Sequence, residues 1–435
     1  MRRLFFIVML VFAAAAPLSA QQQPAAAVAH GISAGDTAWV LISAALVMLM
    51  TPGLAFFYGG LVRKKNILGV LMQCMMALAI LSVMWVLFGF SLSFARGGAF
   101  IGNLSLAGLT GIGMGPSSYA SGIPALVFVV FQMMFAVITP ALVAGAFVER
   151  MKFSAYVAFI VLWSLAVYYP VCHWVWGHGG WLAQLGALDF AGGIVVHITA
   201  GFAALVTALY IGRRKNGSYF PTPHNLPFTV LGASLLWFGW FGFNAGSALG
   251  ANAIAANAFL TTNTSAAIAA IVWALLDRFT SGKPTVLGTA TGAVAGLATV
   301  TPASGFVNVW GALAIGASSA VVCYLMVAAI KPRFKFDDTL DAFGVHGIGG
   351  LWGTLMVGVF AVPAIHGASG LVAGHAHQLG IQAIAAFATV AYTVVVTFII
   401  MKLIDLTIGV RVKEREEAMG LDLSEHNERA YTLVD

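Results

Sequence analysis

Long apolar runs separated by short polar clusters occupy most of the chain, and their length decides how they are read. A helix needs about 20 apolar residues to cross the hydrocarbon of a bilayer. Eleven runs approach or exceed that, at about 38–62, 67–94, 123–148, 153–176, 192–212, 226–249, 257–277, 285–303, 306–330, 342–362 and 378–405. The eighth is the weakest. Its Gly288, Gly292 and Gly296 recur every four residues, a spacing that lets backbones approach closely, and this predicts a helix packed inside a bundle.

The basic residues test this count, because loops on one side of a membrane carry an excess of them. Of 21 Lys and Arg, Arg2 and Arg3 precede the first run and Arg96 follows the second. The remaining eighteen lie in alternate loops and the tail: Arg63-Lys64-Lys65, Arg150 and Lys152, Arg213-Arg214-Lys215, Arg278 and Lys283, Lys331, Arg333 and Lys335, Lys402, and beyond. An odd number of spans then puts the N-terminus outside and the C-terminus in the cytoplasm. Eleven spans divide as five, five and one, with His197 on the fifth and His346 on the tenth. That correspondence predicts an inverted 5+5 repeat plus one extra helix, an architecture whose sites lie where the halves meet.

Composition agrees. With 60% hydrophobic and 8% charged residues, and a mean hydropathy of +0.94, the chain lacks the polar surface of a soluble protein. The fold class is therefore an all-α integral membrane protein in contact with membrane lipids. The net charge of +6 is explained by membrane orientation and implies no nucleic-acid partner. Cys74, Cys172 and Cys323 all fall in apolar runs and read as free packing thiols. Met1-Arg2-Arg3, the apolar Leu4 to Ala16 and the small residues to Ala20 read as a cleaved signal peptide. The expected organisation is a signal peptide at 1–20, an extracytoplasmic segment at 21–37, an eleven-helix domain at 38–405 and a cytoplasmic tail at 406–435.

Candidate chemistry starts with ionisable residues inside apolar runs, which are costly there and mark pathways. Asp189 precedes His197 in one run, and Asp341 precedes His346 in another. The histidines could be satisfied core groups, metal ligands or pore-lining groups, with tautomers set by a mutual hydrogen bond. Metal is disfavoured, since neither an HExxH motif nor a cysteine pair supplies a third ligand. Asp189 reads as a helix cap that also favours a cation, and Asp341 as its counterpart on the inner side. Phe128, Phe131 and Phe135 form a stripe on the third run, while Trp174, Trp176, Trp237, Trp240 and Phe243 crowd the fourth and sixth. If these rings converge they make a cation site. Pro140 is expected to kink the third helix.

Several stretches then carry a specific resemblance. Thr51-Pro52-Gly53-Leu54-Ala55-Phe56-Phe57-Tyr58-Gly59-Gly60-Leu61, Gly180-Trp181-Leu182-Ala183 with Ala187 to Gly193, and Trp240 to Ser247 resemble the ammonium transporter (Amt/Mep/Rh) family, as do Asp341 to His346 and Gly420-Leu421-Asp422 with His426 and Tyr431. The resemblance covers nearly the whole chain and favours the bacterial Amt branch, with a role in nitrogen assimilation. It implies a homotrimer with one pore per protomer and no cofactor, metal or enzymatic activity. Trp176 and Phe131 would hold ammonium by cation–π contact and Ser247 would accept its hydrogen bond. Asp189 would be the buried outer aspartate, Phe135 and Phe243 the gate, Trp240 a lining residue, and His197 and His346 the twin histidines. The transported species would be ammonium and ammonia, with methylammonium as analogue and the proton transferred separately. A PII-type signalling protein is the implied cytoplasmic partner, in a bacterial inner (plasma) membrane. An ammonium sensor is the alternative. Gly177-His178-Gly179 makes the outer loop one residue longer than in some members, so Trp174 is the fallback for Trp176.

Overall fold

The computed structural model describes residues 31–215 and 222–431. The expected signal peptide at 1–20 and the first ten residues of the next segment lie outside the described residues. Among the described residues, ten helices are long and apolar enough to span: α1 (Ala34–Leu61), α2 (Ile67–Phe94), α3 (Ala125–Ala146), α4 (Phe153–Leu185), α5 (Gly193–Ile211), α6 (Leu226–Ala248), α7 (Ala253–Ser281), α9 (Val309–Phe334), α10 (Phe343–Phe360) and α11 (Ala376–Thr407). The expected eighth span is a shorter apolar helix, α8 (Val286–Val300). Helix is the form such runs take because it satisfies each backbone polar group within its own segment. The starts are local decisions. Ser33, Asn225, Asn252, Thr285 and Asn308 each cap a helix, accepting a hydrogen bond from a backbone N–H in its first turn.

The structure makes the internal repeat visible in the sequence. Asp189 precedes His197 by eight residues, and the residue eight before His346 is Asp338, not Asp341. The Asp189 carboxylate accepts from the backbone N–H of Gly192, Gly193, Ile194 and Val195 at 2.6–3.1 Å. Asp338 accepts from Ala342, Phe343 and Gly344 at 2.8–3.4 Å. The expected inner cap at Asp341 is thus corrected. Asp341 has a left-handed φ of 60° and pairs its carboxylate with Lys331, so it cannot reach the N–H groups that Asp338 faces. Both capped helices open on a π-helical turn that carries the histidine, Gly193–Ile198 and Phe343–Gly347. A second echo is Thr139-Pro140-Ala141 on α3 against Thr301-Pro302-Ala303 after α8. The helix of α3 runs through Pro140 to Val143 before tightening into a 3-10 turn, whereas α8 ends at Val300.

α5 and α10 cross at the centre with their backbones nearly touching. A Cβ at Gly201 would overlap the backbone of Gly347, and one at Gly350 would lie 2.6 Å from Cβ of His197. Each glycine sits four residues after a histidine, so the contact is reciprocal.

The basic clusters converge on one face and are neutralised there. Glu149, in the loop after α3, accepts from Arg63, Asn66 and Arg214 at 2.8–3.0 Å. Asp337 binds Arg214 at 2.9 Å, and buried Arg150 reaches the carbonyls of Asp337 and Ala146 and the Thr339 hydroxyl. The tail docks against this network through α12 (Glu414–Met419) and α13 (Leu421–His426). Glu417 accepts from Arg411 and from the N–H of Lys215, Asp422 accepts from the N–H of Gly69, and Asn66 accepts from the N–H of Leu421, all at 2.8 Å. His224 bonds the Tyr431 hydroxyl at 3.0 Å. The tail, as far as it is described to residue 431, is therefore a packed part of this face.

Burial opposes the charged form of Glu149, but Arg63 and Arg214 outweigh it and hold its pKa below the ordinary 4.5. Asp337 is likewise held below 3.8, with Arg214 and Arg150 overcoming its desolvation. A depressed carboxylate stabilises the fold above the unfolded pKa, and that contribution is lost as pH falls through the folded value. Thermal stability of the purified protein should accordingly not vary with pH through these groups near pH 7, where their contribution is fully present, and should drop below about pH 4. Glu149→Gln should lower stability at neutral pH by about 3 kcal/mol, since it leaves buried Arg214 short of a counter-charge. An unchanged melting temperature would contradict this.

Candidate functional site

On the face opposite the basic clusters, α3, α4 and α6 bring aromatic rings together. Trp176 lies within α4, just before the helix is interrupted at Gly177, and is held by its indole N–H, which donates to the Asp189 carbonyl at 2.9 Å. Its ring lies edge-on to Phe135, with centroids 5.9 Å apart at 89°. One helical turn along α3, Phe131 meets Phe135 at 5.0 Å, and Phe135 covers Phe243 of α6 at 4.3 Å. Ser247 follows Gly246, where a Cβ would lie 2.9 Å from the Phe131 ring, and the Ser247 hydroxyl donates to the Phe243 carbonyl at 2.8 Å. With its proton engaged there, the oxygen keeps its lone pairs for an incoming donor. Trp176 and Ser247 are half-buried, while Phe131, Phe135 and Phe243 are fully buried.

Trp174 points elsewhere. Its indole N–H donates to the Phe100 carbonyl and its ring packs on Tyr392 and Trp181. Phe128 also leaves the expected stripe, stacking on Tyr119 at 4.8 Å beside Phe94. Exposed His178 also stacks on that tyrosine, at 4.0 Å.

Beneath the Phe135 and Phe243 rings, a lumen of about 10 Å³ is lined by Leu54, Ile138, Leu142, Trp240 and both histidines. That is room for roughly one water-sized molecule. The imidazole centroids of His197 and His346 are 5.2 Å apart with planes 15° from parallel, and Trp240 lies 5.5 Å from His197 at 26°. Both nitrogens of His197 and Nδ1 of His346 are buried without a hydrogen-bond partner. The expected mutual hydrogen bond is thus absent. The reciprocal glycine contacts fix the crossing of α5 and α10, and at that crossing these nitrogens are left unpaired. Trp240 is oriented by its N–H bond to the Thr301 hydroxyl at 2.9 Å, whose proton goes to the Leu297 carbonyl.

The profile of the Ammonium Transporter Family matches residues 38–431. An ammonium transporter of Bacillus subtilis is 50% identical over 399 residues, covering 91% of this chain and 98% of that protein. The chain belongs to the ammonium transporter family. Among solved structures, Saccharomyces cerevisiae Mep2 superimposes with a TM-score of 0.84 at 36% identity, covering 88% of each chain. A protein described as a sensor Amt protein matches with a TM-score of 0.84 at 29% identity, covering 90% of this chain and 98% of the other.

Three positioning groups escaped the sequence reading of this ammonium transporter family member. Asp338 was legible in the eight-residue spacing to His346. Thr301, in the repeated Thr-Pro-Ala, carried a weaker signal. Gln382 of α11 carried none: its amide bonds both the N–H and the carbonyl of Leu188, at 2.7 and 2.8 Å, and so fixes the loop that presents Asp189.

All four N–H contacts of Asp189 require an acceptor. Asp189→Asn turns one oxygen into a donor facing two N–H groups, at a cost of about 1–3 kcal/mol for the unsatisfied pair. Folded yield and melting temperature should both fall, and a variant as stable as the parent would show that the cap is dispensable.

Proposed function

We propose that the protein recruits NH4+ between Trp176, Phe131 and Ser247, removes its proton near the Phe135 and Phe243 rings, and conducts NH3 past His197 and His346. The observation that carries this reading is the set of unpaired imidazole nitrogens in a one-molecule, otherwise apolar lumen. A buried nitrogen without a partner costs free energy, and a small solute that both donates and accepts relieves it in passing. Charge does not fit such a lumen, because a cation there loses its hydration with little in return. K+ matches ammonium in charge and cannot shed a proton, so the lumen excludes it. The indole of Trp176 and ring of Phe131 favour the cation before that step, with the Asp189 carboxylate behind them. Water at the outer site accepts the proton as the N–H bond breaks, and the proton then crosses separately from NH3, which makes transport electrogenic.

On this reading the protein is a homotrimer in the plasma membrane. The N-terminus lies outside, after a signal peptide at 1–20, and the tail from 406 is cytoplasmic together with the basic face, following the positive-inside rule. The docked tail and its arginine network then form a cytoplasmic platform for a PII-type protein, and truncation after Val412 should lower flux while trimers still insert. A second reading, an ammonium sensor with signalling as its main output, is favoured by the fold match to a sensor Amt protein.

Proteoliposomes containing only this protein test the proposal. Flux of ammonium or methylammonium above empty vesicles is expected, and ammonium binding without flux would favour the sensor. His346→Ala should abolish flux and current; normal current with K+ still excluded would remove the histidine from the mechanism. Trp176→Leu should weaken apparent affinity by about 0.5–2 kcal/mol, or roughly 2- to 30-fold. Trp174→Leu should instead reduce stability without that shift.

A further inference from the structure

On the basic-face side of His346 a cavity of about 270 Å³ opens. His346, Phe57 and Val294 line both this cavity and the lumen, so a solute that passes His346 enters it. One wall comes from α7, α8 and α9 and carries Asp277, Trp273, Tyr324 and Thr285. Asp277 is only 8% exposed. Its Oδ2 accepts from the Thr285 hydroxyl at 2.5 Å, and the carboxylate rests on Gly288, where any side chain would displace it.

Glu149, Asp337 and Asp341 each pair with a lysine or arginine, whereas among the described residues Asp277 has no ion-pair partner. Asp189 and Asp338 are also buried without an ion pair, but rows of backbone N–H groups meet their charge, and no such row faces Asp277 among the described residues. The adjacent Arg278 is exposed and directs Nη1 to the Gly282 carbonyl. A buried carboxylate without a counter-ion is costly unless a cation joins it. Trp273 and Tyr324 line the same cavity as an edge-to-face pair with centroids 5.4 Å apart at 75°, which places aromatic rings beside the carboxylate's cavity.

We propose that Asp277, Trp273 and Tyr324 form an inner cation site for a small protonated amine, ammonium or methylammonium. The inference rests on the pore reading and adds where the product is captured. NH3 leaving His346 takes a proton from hydronium in this cavity: the nitrogen lone pair forms the new N–H bond, an O–H bond breaks, and water is left. The carboxylate and rings hold the resulting cation before release. Ammonium accumulated on the basic face therefore occupies the site and slows further passage.

The test is isothermal titration of the detergent-purified full chain with methylammonium chloride, replacing sodium chloride mole for mole. In the Trp176→Leu background, which weakens the outer site, residual binding is expected. Adding Asp277→Asn, which preserves the size and the Thr285 contact, should weaken that binding at least tenfold. Trp273→Leu is the second variant and should act in the same direction. No residual binding in Trp176→Leu, or binding indifferent to both added substitutions in folded protein, overturns the proposal. The liposome flux assay keeps the two readings apart. Binding sensitive to Asp277→Asn in a protein that carries no flux retains the inner site and rejects the pore, and flux with insensitive binding does the reverse.

Discussion

The structure depends on the close crossing of α5 and α10, where two backbones meet through Gly201 and Gly350 without side chains between them. Lipid tails are as apolar as leucine, so helices in a membrane associate through packing, and the absence of a Cβ is what lets backbones approach. Here the contact also positions chemistry. Because each glycine lies one helical turn after a histidine, the same crossing that joins the two halves places both imidazoles beside one narrow lumen.

Holding that crossing requires the ends of both helices to be fixed, and the two aspartates do this. Asp189 and Asp338 each satisfy N–H groups that a π-helical start would otherwise leave bare in a region poor in water. Their surroundings differ with the side of the membrane. Around Asp189 the loop closes through Trp176 and Gln382, so the cap also holds the outer aromatic group in place. Around Asp338 the neighbours are Lys331, Asp341 and Arg150 with Asp337, and the cap belongs to the ionic network of the basic face.

That network extends the argument to the tail. Arg214 bridges Glu149 and Asp337, and Arg411 and Glu417 bring the tail onto the same loops, so the basic-face ends of α1, α3, α5 and α10 share one set of counter-charges. Exposed ion pairs contribute little. Buried ones act chiefly by penalising separation, because removal of one partner leaves the other uncompensated. A segment held this way is tied to the helix ends through paired charges as well as through area of contact.

The sequence by itself determined the class and most of the spans. Bilayer thickness fixes how long an apolar run must be, and the runs at 67–94 and 192–212 reappear as α2 (Ile67–Phe94) and α5 (Gly193–Ile211). It also supplied the histidine pair and the aromatic candidates, because costly residues in apolar runs stand out one at a time. Tertiary structure decided which of them meet. Trp174 and Trp176 are two residues apart, with Trp174 the fallback for Trp176 in the sequence, yet on a helix they point in different directions, and packing sets one against Phe135 and the other against Tyr392. Asp338 and Asp341 likewise differ only in backbone conformation, since the left-handed turn at Asp341 sends its carboxylate to Lys331 and leaves the N–H groups of α10 to Asp338. Span length and charge bias are local or additive along the chain, whereas convergence of side chains depends on helix rotation and crossing, which contacts between distant residues set.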